Sequence, residues 1–399
     1  MKPLRYLPIF ALLSVFPTTV LAASVNDPLF DRQWSLRQTQ VPAAWDTTFG
    51  SPSVVVAVID SGIDDRNPDF TGALWTNAGE IPGNGLDDDH DGYIDDIHGW
   101  NFQSQTSSTL PMRQAYQLDE TYGHGTAIAS IIAARANDRY GMAGVAPRAT
   151  IMPLVVLDGD GYGTNTVLAE AIRYAVAQKA RIINVSVTGY EDDENVRYAL
   201  KEAERAGVLV VTAVGNSSDM NGYDLATTPV YPACDGADDA SSTMLRVTGT
   251  DSLDQHAPYA NYGASCTDIA APGHELIGAH PIDLPENSDS TTTYEHVAGL
   301  TGTSVASPMV AGAAALIASA NPSLSATEIR SILLTTTDVI EPNVLAGSKG
   351  KLGYGRLNVE RAVKKAVAHA GAVSPAVPAT STKQQRIQWE QLFHFWLGK

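Results

Sequence analysis

The sequence predicts an α/β fold with a central, mostly parallel sheet and helices on both faces. Three observations carry this. Short runs of almost wholly apolar, largely β-branched residues recur along the chain. Amphipathic stretches of helical period separate them. The chain has 399 residues, 44% of them hydrophobic, which is enough for a large core. A strand that is apolar on both sides has to be covered on both sides, as in parallel sheets.

The first strand is Val54 to Ile59, an unbroken apolar run that ends at an acid, Asp60. His124 to Ala134 follows as a helix. Ile151 to Leu157 is the next β-branched run, and Thr166 to Gln178 the next helical pattern. Ile182 to Val187 and Val208 to Val214 read as strands on either side of a helix at Glu194 to Ala206. Further on, Ser304 to Ala318 and Ser325 to Leu334 read as helices, with Ser323 or Ser325 as the cap of the second. No internal repeat is visible.

The ends differ from the middle. Lys2 and Arg5, an apolar stretch from Leu7 to Ala22 and the small-residue exit Val20-Leu21-Ala22 read as a signal peptide, residues 1–22, cleaved after Ala22. The stretch is short and interrupted by Pro8 and Pro17, and no later segment approaches the about 20 apolar residues of a membrane span. An exported protein, secreted, periplasmic or at the cell surface, is expected. Residues 23–370 carry the alternating pattern, while 371–382 read as an Ala/Pro/Ser/Thr linker and 383–399 as an amphipathic helix. In that helix Trp389, Leu392, Phe393, Trp396 and Leu397 form one stripe. The stripe docks on the domain, lies on a membrane surface or meets a partner protein. Against 26 Lys and Arg stand 44 Asp and Glu, a formal net charge of −18, so no nucleic-acid partner is expected.

Reactive groups in open parallel sheets gather beyond the carboxyl ends of the strands. Asp60 stands at such an end. His124 lies between Gly123 and Gly125 at a helix start, Ser304 follows Gly302-Thr303 and opens a helix, and Asn216 follows Ala213-Val214-Gly215. An acid, an imidazole, a hydroxyl and an amide make a complete acyl-transfer set. Taken singly, a serine at a helix start is more often a cap and a lone histidine more often structural.

The surrounding strings alter that balance. Asp60-Ser61-Gly62-Ile63-Asp64, Gly123-His124-Gly125-Thr126 and Gly302-Thr303-Ser304-Val305-Ala306-Ser307-Pro308 resemble the three active-site signatures of subtilisin-like serine proteases, in that family's order. The resemblance covers residues 26–368 and implies a subtilisin-like fold and a monomeric serine endopeptidase acting on proteins or peptides. It implies His124 as general base and acid, Asp60 as its orienting partner, Ser304 as nucleophile, and the Asn216 side chain with the Ser304 amide as oxyanion donors. It implies that extended substrate pairs with Ser186-Val187 and with Gly161-Tyr162-Gly163, and that Val230 lies near the base of the primary pocket. There Val230 favours small or medium apolar residues. An α/β-hydrolase esterase is disfavoured, because the second glycine of its serine motif is missing and the triad order differs. A dedicated processing enzyme and a protease-shaped binding protein are the other readings, although no triad or oxyanion residue is broken.

Some positions depart from the family. Val305 replaces a common oxidation-sensitive methionine, Ala127 and Met309 replace frequent histidines, and only residues 23–25 precede the start of the domain, leaving no room for a propeptide. An acidic insert spans about residues 76–98. In it Asp87-x-Asp89-x-Asp91-Gly92-Tyr93-x-Asp95-Asp96 alternates carboxylates around a glycine turn, a pattern suited to a structural Ca²⁺ with the Tyr93 carbonyl as a further donor. The usual twelfth-position glutamate is absent, His98 standing there, and a solvated acidic loop is the plainer reading. The resemblance implies a second calcium site at Asp27, Asp69 and the Asn137-Asp138 loop, with carbonyls of Ala136, Tyr140 and Met142. No organic cofactor is expected. In an exported chain, two cysteines predict one disulfide, Cys234–Cys266.

Overall fold

The computed structural model describes residues 25–112, 122–236, 242–282, 296–340 and 347–370. The expected signal peptide, linker and C-terminal helix lie outside the described residues. Two short helices, α1 (Trp34–Gln38) and α2 (Val41–Trp45), precede β1 (Val55–Asp60). There follow β2 (Trp100–Asn101), α3 (His124–Ala133), β3 (Thr150–Val155), α4 (Asn165–Ala177), β4 (Ile182–Val185), α5 (Glu194–Arg205) and β5 (Leu209–Ala213). The chain continues through β6 (Leu245–Thr250), β7 (Ile269–Pro272), β8 (Leu276–Ala279) and β9 (His296–Leu300) to α6 (Thr303–Ala320), α7 (Ala326–Thr335) and α8 (Val359–Ala370).

β1 to β7 form one sheet in the order β2-β3-β1-β4-β5-β6-β7, with every neighbouring pair parallel. β8 and β9 form a separate antiparallel ribbon. The continuous apolar runs are explained by the pleat, which sends alternate residues to opposite faces. Val56 and Val58 join a core with α2, α3, α6 and α8, whereas Ala57 and Ile59 join a second core with α4 and α5. Helices therefore cover both faces, as the sequence predicts.

Two local differences have identifiable causes. The third long strand stops at Val185, because Ser186 turns its hydroxyl to the Ser304 carbonyl, 3.0 Å away, instead of continuing the ladder. Of the two candidate caps on α7, Ser325 is the one used. Its hydroxyl accepts the Glu328 N–H while Glu328 accepts the Ser325 N–H, a reciprocal capping box. Ser323 is held instead by Asn321. The 18-residue α6 is apolar and long enough to cross a membrane by composition, contrary to expectation, but it is buried in the first core.

Chain direction across the sheet reverses between β1 and β4, which opens a crevice beyond their carboxyl ends. Cys234 and Cys266 are bonded, with Cα atoms 4.9 Å apart.

Candidate active site

Asp60 ends β1 and is 1% exposed. Its Oδ1 accepts the Ser61 N–H at 2.7 Å, which fixes the carboxylate. Nδ1 of His124, the first residue of α3, lies 2.8 Å from Oδ1 and 3.0 Å from Oδ2. An imidazole held this way carries its proton on Nδ1 and leaves Nε2 to act as a base. The helix reaches the strand end this closely only because residue 125 is glycine. A Cβ there would lie 2.4 Å from the Gly62 carbonyl oxygen and 3.1 Å from the Asp60 Cβ.

Ser304 is the second residue of α6. Two bonds tie its turn to β4: Ser186 Oγ donates to the Ser304 carbonyl, and Ser307 Oγ donates to Asn184 Oδ1 at 2.8 Å. Asn184, fully buried, also donates to Ser186 Oγ at 2.9 Å. Across the crevice, Asn216 Oδ1 accepts the Thr303 N–H at 2.9 Å, which leaves its amide nitrogen as the donor end. A Cβ built on Gly302 would sit 3.0 Å from Ser304 Oγ and 3.3 Å from Asn216 Nδ2, so the hydroxyl and the amide flank the same small space.

A cavity of about 420 Å³ has His124, Ser186, Val187, Gly161, Tyr162 and Gly163 among its walls. The two expected substrate-binding segments thus face each other. Segment 158–162 is a turn, closed by the Asp158 N–H on the Tyr162 carbonyl.

The acidic insert folds on its own carboxylates. Asp95 accepts the N–H groups of Gly83, Asn84 and Gly85, and Asp87 those of Asp91 and Gly92. Asp96 is buried and accepts from Asn77 Nδ2 and the Tyr174 hydroxyl, which burial and that carboxylate hold protonated. The Tyr93 ring packs edge-on against Trp100, Phe102 and Tyr174, anchoring the loop to the second core. Among the described residues, Glu80, Asp87 and Asp89 offer oxygens within 4.8 Å of one another, a cluster that could hold a metal ion. Asp91 beside them is pushed up to about 6 by burial and by Asp96, Asp89 and Asp87.

At the other expected metal position, Asp27 accepts the backbone N–H groups of Asn137 and Asp138, and Asp138 accepts that of Tyr140. Asp69 holds His296 Nε2 at 2.6 Å through Oδ2, while its buried Oδ1 has no partner.

The Subtilase family model matches residues 51–356 of the chain. The chain belongs to the subtilase family. Thermitase from Thermoactinomyces vulgaris is 34% identical over 340 residues, covering 85% of this chain and 99% of thermitase. Subtilisin BL from Lederbergia lenta is 31% identical over 331 residues, covering 83% and 98%. Among solved structures, a protease from Pseudoalteromonas arctica PAMC 21717 superposes with a TM-score of 0.66 at 28% identity, covering 86% of this chain and all of that one. This subtilase is a subtilisin-like serine endopeptidase, with proteins or peptides as substrates.

Several positions in the subtilase were not evident from its sequence. Val230 is not among the cavity walls: it is 3% exposed and packs with Val214, Leu225, Ala233 and Cys266. Its Cγ1 lies 3.2 Å, and Thr188 Oγ1 3.4 Å, from where a Cβ on Gly215 would stand. Thr188 therefore crowds the same spot beside Asn216. Glu80 precedes the carboxylate repeat and is reached only through the folded loop. Asn184 lies two residues before Ser186, and its tie to Ser307 depends on the folded chain.

Proposed function

We propose that this subtilase is an exported endopeptidase in which Ser304 attacks the peptide carbonyl and forms an acyl-enzyme. His124 takes the Ser304 proton through Nε2 and delivers it to the leaving amine, then repeats the cycle with water. Asp60 keeps the tautomer and stabilises the imidazolium. Negative charge on the carbonyl oxygen is met by Asn216 Nδ2 and the Ser304 N–H. Two observations support this reading: Ser304 Oγ and Asn216 Nδ2 flank one space, and the Nδ1 of the His124 imidazole is committed to Asp60. Export rests on the charged, apolar and small-residue order of residues 1–22.

The test is turnover of an unfolded protein substrate and covalent labelling by a fluorophosphonate. Ser304→Ala abolishes labelling and lowers turnover by about 10⁴–10⁶. Asn216→Ala lowers turnover by about 10²–10³ with labelling retained, since it removes one transition-state donor. Wild-type activity in Ser304→Ala overturns the assignment.

Ca²⁺ fits the acidic insert: all donors are oxygens, and Asp87 and Asp89 with Glu80 already approach one another. The ion would supply charge neutralisation and stiffness, with no part in the reaction. A second ion at Asp27, Asp69 and Asp138 keeps one support, the partnerless Asp69 Oδ1.

A further inference from the structure

The charged side chains lining the cavity beside His124 all carry one sign. Glu191, Asp193 and Asp235 line it and, among the described residues, no lysine or arginine does. Glu191 is exposed. Asp193 is half-buried and spends Oδ1 on the first N–H groups of α5. Asp235 differs from both, because it is 5% exposed and its Oδ2 has no hydrogen-bond partner. A carboxylate that has lost its water and gained no donor is costly to keep.

Two arginines near Asp235 are committed elsewhere. Arg246 bonds Asp268 at 3.0 Å and gives its other N–H groups to the carbonyls of Ala233 and Asp235. Arg197 pairs with Asp192 at 3.0 Å. Apolar and aromatic side chains share the cavity with Asp235, among them Val187, Leu168, Tyr162 and Tyr231. An aliphatic stem that ends in a cation matches such a lining, with the stem against the apolar groups and the charge at the carboxylate.

We propose that this cavity takes a lysine or arginine side chain of the bound peptide, with Asp235 as its counter-ion and Glu191 drawing it in. The proposal rests on the endopeptidase reading, since His124 lines the same cavity. It adds a substrate class: peptides carrying a basic residue at one fixed distance from the cleaved bond.

The experiment is a position-scanned peptide library in which each site holds lysine, acetyl-lysine or norleucine in turn. At one site the wild type prefers lysine over both neutral analogues by at least about tenfold in kcat/KM. Asp235→Asn reduces that ratio to near unity, and Glu191→Gln lowers the association rate of lysine peptides more at low salt than at high. Binding of the same peptides to Ser304→Ala, with and without Asp235→Asn, separates the two ideas. If the wild type hydrolyses nothing but the lysine peptide still binds tenfold more tightly, the catalytic reading fails and this one stands. Equal binding and hydrolysis of lysine and norleucine peptides at every site, or a lysine preference that survives Asp235→Asn, overturns the cavity assignment. The comparison of lysine with acetyl-lysine needs no variant and decides the matter even if Asp235→Asn does not fold.

Discussion

Val305 follows Ser304 directly and is 3% exposed, with Met309 one turn further along α6 and fully buried. Oxidation of a methionine at position 305 would place a larger, polar sulfoxide against the nucleophile. With valine there, activity survives a peroxide treatment that inactivates Val305→Met, as residual hydrolysis against exposure time will reveal. Asp235 yields a second prediction at this scale. Burial, then Asp192, push its carboxyl up from 3.8 to about 6, with Asp193 adding to the rise and Arg197 and Arg246 opposing it. The folded state therefore binds this proton more tightly than the unfolded chain. Asp235 costs no stability below pH 3.8, and the cost grows as pH rises through about 6. In a Ser304→Ala background, Asp235→Asn should match the parent's Tm at low pH and exceed it at neutral pH. A gain that does not vary with pH would remove titration as its cause.

The acidic insert is an element built from like charges. Its turns are closed by carboxylates accepting N–H groups, and Tyr93, Asp96 and Asp91 bind it to the second core and its helix α4 through Tyr174 and Gln178. Glu80, Asp87 and Asp89 repel one another until a cation joins them, so binding is selective for the folded loop. Added Ca²⁺ should raise the Tm of Ser304→Ala protein and chelator should lower it. Asp87→Asn with Asp89→Asn should flatten most of that response, as scanning calorimetry would record. An identical melt in calcium and in chelator leaves the loop without an ion. The helices are more self-sufficient elements, as the capping box at Ser325 and Glu328 illustrates: its parts are three residues apart and visible in the sequence.

That contrast holds for the whole molecule. Asp60, His124, Asn216 and Ser304 were legible as candidates because each stands at the end of a strand or the start of a helix, inside a short string of glycines and small residues. The parallel sheet was legible because its strands are apolar on both faces. Asp235, Glu80 and Thr188 did not stand out, since their surroundings are supplied by distant segments. Nothing in Cys234-Asp235-Gly236 announces that Arg246 will commit its charge to Asp268. The carboxyl end of β4 was misjudged by two residues for the same reason: Ser186 leaves the ladder to reach α6, a contact across 118 positions.

The place of β1 in the sheet has a kinetic consequence. Val56 lies opposite both Ile151 and Ile182, so its pairing joins segments far apart in the chain. Closing such loops costs entropy before any contact repays it, which makes the topology slow to assemble. Extracting β1 would break two ladders and open both cores together, so the folded form is also slow to come apart. For an enzyme surrounded by copies that cut unfolded chains, lifetime is then set by the opening step of each molecule and not by encounters between molecules. Loss of activity on storage should accordingly be first order, with a half-life that is independent of enzyme concentration and equal to the unfolding half-life of Ser304→Ala. A half-life that shortens as concentration rises would locate the weak point in an exposed loop, cut while the sheet is still closed.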